Sequence, residues 1–279
     1  MKHFDVIVVG GGHAGCEAAL ACARMGVSTL LVTMELIKIA EMSCNPSIGG
    51  VGKGQLVKEI DALGGEMGKN ADFTAIQFKR LNTRKGSAVQ STRCQSDKKL
   101  YAMRMQKEIE MQQGLAVVEG EVERLLVDSD GIRGIVLGKN NGEGREVFSR
   151  NVVITAGTFM RGLMHRGEEQ TSGGRFGEKA SMSLSDSLRE LGFSLLRLKT
   201  GTPPRLFSHS IDFSVMEMQD GDPRPARFSF WDSAIPLPQV PCFLTFTNHQ
   251  THEVVRKNLS RSPLYSGQIK GIGPRYCPS

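Results

Sequence analysis

The feature that most restricts how this 279-residue chain can fold is Gly10-Gly-Gly-His-Ala-Gly15, set directly behind residues 4–9, which are apolar apart from Asp5. A continuous apolar run of this length suits a strand buried on both faces of a parallel sheet. The first glycine allows a tight turn, Gly12 lets the backbone approach a pyrophosphate, and Gly15 lets a helix pack close to the strand. Residues 16–25 are mainly Ala, Leu, Cys, Glu, Arg and Met, most of them good helix formers, and Gly26 stands at the stop position. Residues 27–32 read as a second strand. Strand, glycine turn, helix and strand within about 30 residues make a βαβ unit. The N-terminus of its helix offers free N–H groups and a positive dipole end to phosphate.

The usual acid that binds ribose hydroxyls at the end of the second strand is missing. Its place falls on Thr33, and Glu35 follows two residues later. Either the Thr33 hydroxyl makes the contact or Glu35 bends back. His13, inside the turn, is a capping residue or a phosphate contact, and Glu17 reads as a solvated helix residue.

Further along, residues 42–54 hold four glycines and lead into a helix at 55–63, which places Leu56, Ile60 and Leu63 on one face. The backbone must pass close to something there. It is not a phosphate-binding P-loop, because Ser47 occupies the first glycine position and Gly54 follows Lys53. Between 119 and 155, three strand-like segments are joined by Asp130-Gly131 and Asn141-Gly142, dipeptides that accept tight hairpin turns. This predicts an antiparallel meander, followed by a separate buried strand at 151–157 that ends at Gly157. Flavoproteins with two dinucleotide-binding folds carry such a meander, returning through a strand that ends beside the cofactor. From Thr202 the composition turns rich in proline and aromatic residues, which predicts a second domain or large insertion.

The six cysteines, at 16, 22, 44, 94, 242 and 277, form no Cys-x-x-Cys pair, so no metal site is expected. Cys16 and Cys22 read as packing residues. Cys44, in Ser-Cys-Asn-Pro, and Cys277, in Arg-Tyr-Cys-Pro beside Arg275, are the candidates for reactivity, because a thiol needs a lowered pKa to react. The net charge of +6 is concentrated: between 79 and 107 nine Lys and Arg face Asp97 alone. That run reads either as a solvated face or as a surface for a phosphate-rich partner. The chain lacks an apolar stretch of membrane-spanning length and a secretory leader, so a soluble cytoplasmic protein with no membrane partner is expected.

Taken together, Gly10-Gly-Gly-His-Ala-Gly-x-Glu-Ala-Ala19, Met42-Ser-Cys-Asn-Pro46, Lys53-Gly with Val57-Lys-Glu-Ile-Asp-Ala-Leu-Gly-Gly65, Lys199-Thr-Gly-Thr-Pro-Pro-Arg205 and Gly273-Pro-Arg-Tyr-Cys-Pro-Ser279 resemble the glucose-inhibited division protein A family, also called MnmG. Thr33 in place of the acid is similar to that family too. The resemblance implies an α/β fold: a Rossmann-type FAD-binding domain of the two-dinucleotide-binding flavoprotein kind over 1–201, with its meander near 119–155. It further implies an inserted second α/β domain, NAD(H)-associated, over 202–270, and a return toward the FAD domain at 271–279. Family members are about twice this long, which makes this an N-terminal portion that is inactive if it works alone.

The implied activity is FAD- and NADH-dependent tRNA modification. A (carboxymethyl)aminomethyl group is placed on carbon 5 of the wobble uridine, with methylenetetrahydrofolate as one-carbon donor and the GTPase MnmE as partner of a homodimer. A cysteine thiolate adds to carbon 6 of uracil, Cys277 being the first candidate and Cys44 the second. By motif match, Gly10, Gly11, Gly12, His13, Ala14, Gly15, Thr33, Val122, Gly157 and Ser181 fall at the FAD site, and Gly273, Pro274, Arg275 and Tyr276 at the nicotinamide site. Arg84, Lys85 and Arg93 become expected tRNA contacts. The competing readings are another FAD-dependent oxidoreductase, a folate-dependent tRNA uracil methyltransferase, and an inactive fragment that binds FAD or RNA.

Overall fold

The computed structural model describes residues 3–42, 45–139, 142–231 and 234–273. The opening unit forms as its sequence dictates: β1 (His3–Val9), α1 (His13–Arg24) and β2 (Thr29–Thr33). There follow β3 (Ser47–Gly49), α2 (Gly54–Ala62), α3 (Met67–Phe73), β4 (Ala75–Leu81), β5 (Ser91–Ser96), α4 (Lys98–Met111) and β6 (Leu115–Glu119). The next elements are β7 (Val122–Asp128), β8 (Gly131–Lys139), β9 (Gly142–Ile154), β10 (Leu163–Arg166), β11 (Glu169–Ser172) and α5 (Ser183–Glu190). Past residue 202 the regular elements are β12 (Glu217–Gln219), β13 (Cys242–Leu244) and α6 (His249–Lys257).

Six strands form the main sheet, in the order β6-β2-β1-β9-β8-β7. The first four are mutually parallel, and β9, β8 and β7 make the antiparallel meander. The continuous apolar run of β1 is explained by its two faces. Val8 belongs to a cluster with Cys16, Leu20 and Leu31, whereas Ile7 and Val9 belong to another with Leu30, Val32, Ile135 and Val147. One expectation is corrected here. No separate strand follows the meander, because β9 is a single strand of 13 residues that pairs first with β8 and then, from Phe148 onward, with β1. Its last stretch is also less buried than an internal strand, with Asn151 and Val153 exposed.

A second, three-stranded antiparallel sheet, β3-β5-β4, packs beside α2 and α3. The glycine loop before α2 passes close to protein: a Cβ on Gly49 would strike the Thr92 carbonyl oxygen and the Phe228 ring, and one on Gly54 the Ser91 hydroxyl. That contact sets the rotation of α2, so the apolar face expected from Leu56, Ile60 and Leu63 is not the inner one. Leu56 is 56% and Leu63 90% exposed, and α2 instead buries Gly54, Val57 and Asp61. Glu17 is corrected as well. It is no solvated residue: its carboxylate accepts the main-chain N–H groups of Glu66 (3.0 Å) and Met67, and burial is the main reason its pKa rises.

Buried carboxylates also hold the region beyond residue 202. Asp72 accepts the N–H groups of Phe228 and Ser229, each at 2.9 Å, and Asp61 accepts that of Phe230 at 2.7 Å. The indole N–H of Trp231 donates to the Asp61 carbonyl oxygen, and Phe228 is fully buried. Segment 202–270 thus draws its anchorage from α2, α3 and β4, where Asp222 N–H donates to the Phe78 carbonyl oxygen and Val240 N–H to that of Ile76. Substituting Asp72→Ala strands two buried N–H donors at about 1–3 kcal/mol each. Urea unfolding should therefore show a loss of roughly 2–6 kcal/mol, and limited proteolysis should cut first between 202 and 246.

Candidate dinucleotide site

The carboxyl ends of the parallel strands gather at one edge of the main sheet, and strand order reverses between β1 and β9, where α/β folds open a crevice. At that edge the fingerprint is closed by Thr155, just past β9. Its hydroxyl donates toward the carbonyl oxygens of Val9 (2.9 Å) and Gly10 (3.0 Å), and its N–H donates to the carbonyl oxygen of Val9. Gly10 adopts φ +109° with a Cβ position 2.6 Å from the Thr155 carbonyl oxygen, so no larger residue fits there. A Cβ on Gly15 would overlap the Gly10 carbonyl oxygen.

Gly12 is the opposite case. A Cβ built on it meets no atom of the described residues within 4 Å. It sits at the N-cap of α1, which has no side-chain cap and no acid in its first turn, so the helix amides of His13, Ala14 and Gly15 face an open cradle. The fit to a pyrophosphate is direct: small backbone, amide donors at an uncapped helix start, and a favourable dipole end.

The structure brings Gly10 to Gly15, Thr33 and Gly157 to this edge. Thr33 lies behind Gly11, 2.8 Å from where its Cβ would be, and its hydroxyl points to the Glu35 carbonyl oxygen at 3.5 Å. His13 packs edge-on against Tyr101, ring centroids 5.4 Å apart. Burial first, and the charge of Arg175 second, lower its pKa, so the imidazole is neutral near pH 7. Val122 opens β7 and is buried in the core of the meander side. Ser181 is tied to the same region, donating its N–H to the Phe159 carbonyl oxygen (2.9 Å) and accepting that of Arg161 (2.7 Å).

Gly273 packs on Lys199 next to the Leu198–Ile272 bridge, which Arg197 ties to the Arg161 carbonyl oxygen. Pro274, Arg275, Tyr276, Cys277 and Cys44 lie outside the described residues. Cys16 and Cys94 are fully buried, and burial pushes both thiols up to about 12, which fits packing residues.

Arg175 does not stand out in the sequence. Its guanidinium stacks over Phe159, bonds Glu178 at 2.9 Å, and lies 3.8 Å from Glu41, which pairs in turn with Lys38 at 3.0 Å. The one sequence signal for it is the pair Gly173-Gly174 just before: a Cβ on Gly174 would strike the Phe159 ring that Arg175 covers.

The basic run is broken up by the fold. Lys79 pairs with Asp222, and Arg104 with Glu66 and Glu108, so the count of nine cations against one acid overstates the free charge. Arg84 and Lys85 stand exposed on the β4–β5 connection, half-buried Arg93 sits on β5 opposite Lys79 and Gly49, and Lys98 and Lys99 begin α4 beyond the far end of β5. A six-residue strand separates these groups by about 20 Å.

This fold and cradle define a Rossmann-type α/β protein with a mixed sheet. The profile of the family described as glucose inhibited division protein A matches residues 5–279, and the chain belongs to that family. It is 56% identical over 278 residues to the tRNA uridine 5-carboxymethylaminomethyl modification enzyme MnmG of Geobacter sulfurreducens, covering 100% of this chain and 44% of that protein. The MnmG of Protochlamydia amoebophila is 52% identical over 277 residues, covering 99% and 44%. The structure of Aquifex aeolicus GidA in its form I crystal superposes with a TM-score of 0.89 at 50% identity, covering 100% of this chain and 47% of that one. The chain therefore spans less than half the length of these relatives.

The two glycines at the ends of the cradle predict separable defects. Gly12→Leu should keep the thermal transition within a few degrees and abolish dinucleotide binding in a fluorescence titration. Gly15→Ala should lower the transition itself, because the helix must move off the strand.

Proposed function

We propose that this chain is the FAD-binding part of a tRNA-modifying enzyme that places a (carboxymethyl)aminomethyl group on carbon 5 of the wobble uridine. The observation that carries the reading is the open Gly12 cradle at the uncapped start of α1, in a chain that belongs to the glucose-inhibited division protein A family. The α1 amides bind the pyrophosphate, Thr155 holds the turn in register, and neutral His13 with Arg175 forms the adjoining wall. Bound there, FAD would supply two-electron redox chemistry with NADH as reductant, while methylenetetrahydrofolate would supply the one-carbon unit and an amine co-substrate the nitrogen. Gly273, Pro274, Arg275 and Tyr276 serve the nicotinamide. Cys277, or else Cys44, adds to carbon 6 of uracil as the thiolate, breaking the C5=C6 π bond so that carbon 5 becomes nucleophilic; after carbon 5 takes up the new group, loss of its proton expels the thiolate and restores the double bond. MnmE and a second copy of the chain complete the assembly.

A second reading has its own support. The chain spans 44% of the length of the Geobacter sulfurreducens relative, and Leu196, Leu206, Phe207 and Phe246 lie more than two-thirds exposed, which supports reading the chain alone as a flavin-binding fragment without turnover. Colour separates the two. In both readings the purified chain carries a yellow flavin spectrum; in the first, NADH bleaches it anaerobically, and in the second it stays yellow. A chain that takes up no FAD contradicts both.

The RNA-facing role is carried by the exposed loop that bears Arg84 and Lys85. Reversing both charges should weaken tRNA binding and lower the slope of log affinity against log salt by about 1.5, at roughly 0.7–0.9 for each phosphate that is no longer neutralised. Reversal of Arg93, which is half-buried on β5, should act in the same direction. Unchanged affinity at low salt removes these residues from the interface.

A further inference from the structure

The strand that ends beneath the adenosine half of a bound dinucleotide carries no acid of its own. β2 stops at Thr33, whose hydroxyl is turned to the Glu35 carbonyl oxygen. In this fold a carboxylate at that level normally accepts both hydroxyls of the ribose, a task a single hydroxyl group does poorly. The neighbouring strand supplies one. β6 pairs with β2 in parallel, and the register sets Thr33 opposite Glu119, the last residue of β6. Parallel neighbours lie about 4.8 Å apart, with register partners on the same face. The Glu119 carboxylate reaches back over the end of β2, because its Oε2 accepts the main-chain N–H of Leu36 at 2.9 Å. That bond fixes the carboxylate above the connection that leaves Thr33. Glu119 is solvent-exposed, and no other bond to its carboxylate is made among the described residues, so Oε1 is left available to a ligand.

We propose that Glu119 is the ribose-binding acid of this chain, contributed from β6 in place of the one missing at the end of β2. The assignment rests on the FAD reading above and deepens it: β2 shapes the floor through Thr33, and the strand beside it holds the diol. Glu35, the acid nearer in sequence, begins the turn at 36–38, and among the described residues no bond holds its carboxylate in place over the strand end. The carboxylate anchored over the strand end is that of Glu119.

The test compares FAD with its 2′-deoxyadenosine analogue, titrated by flavin fluorescence against the flavin-stripped 279-residue chain. The unaltered chain should bind the analogue about tenfold to a hundredfold more weakly, the range expected for losing a hydrogen bond to a charged group. Glu119→Ala should bind FAD more weakly by a similar factor and no longer distinguish the two ligands. Where Glu119→Ala also lowers the melting temperature by freeing the Leu36 N–H, Glu119→Gln keeps an acceptor for that N–H and should still discriminate less than the unaltered chain. The proposal is overturned if Glu119→Ala and Glu119→Gln discriminate as well as the unaltered chain, or if Glu35→Ala alone erases the difference. No binding of either flavin by the unaltered chain overturns the cofactor reading itself, and this assignment with it.

Discussion

The structure depends on how closely α1 can start behind β1. With Gly15 lying against the Gly10 carbonyl oxygen, the helix begins three residues after the strand stops, and its axis points at the carboxyl edge of the sheet. Thr155 closes the arrangement from the other side by taking the carbonyl oxygens of Val9 and Gly10. Three strands of different sequence distance are thereby pinned at one spot: β2 through the Gly10 N–H to Val32, β9 through Thr155, and β1 itself. The open space at Gly12 exists because everything around it is this tightly occupied.

Away from that edge, carboxylates hold the helices together. Glu66, almost fully buried, receives Arg24 of α1 and Arg104 of α4, each at 3.0 Å, while Glu17 of α1 caps the start of α3. Asp61 and Asp72 do the same for main-chain N–H groups at 228–230. A buried carboxylate without partners costs several kcal/mol, and with two N–H donors or two guanidinium groups it becomes a directional clamp. These clamps explain why the layer beyond residue 202, with little apolar core of its own, still has a fixed place against α2, α3 and β4.

The parts legible in the sequence are those governed by local chemistry. β1, α1 and β2 follow from a glycine pattern and apolar runs, and the meander from Asp130-Gly131 and Asn141-Gly142. Family membership is legible too, because it rests on several motifs spread along the chain. The parts that escape are set by partners far away in sequence. The apolar stripe Leu56, Ile60 and Leu63 is a sound helical pattern, yet contact of Gly54 with Ser91 turns α2 so that Asp61 faces inward. Glu17 looks solvated until α3 arrives, and Arg175 is unremarkable until Phe159 and Glu178 lie beside it. Charge counting along the chain fails for the same reason, since Asp222 and Glu66 come from distant segments.

The double pairing of β9 gives the meander a role in tuning the cradle. One rod of backbone is zipped to β8 at its start and to β1 at its end, with Thr155 just beyond. A slip of one residue along β8 would turn Val152 and Ile154 off the apolar cluster they pack on and carry Thr155 about 3.3 Å away from the turn it closes. The hairpin at 128–131 and the pairing of β8 with β9 therefore act as a vernier: distant contacts that set the reading of a scale whose zero mark is Gly10.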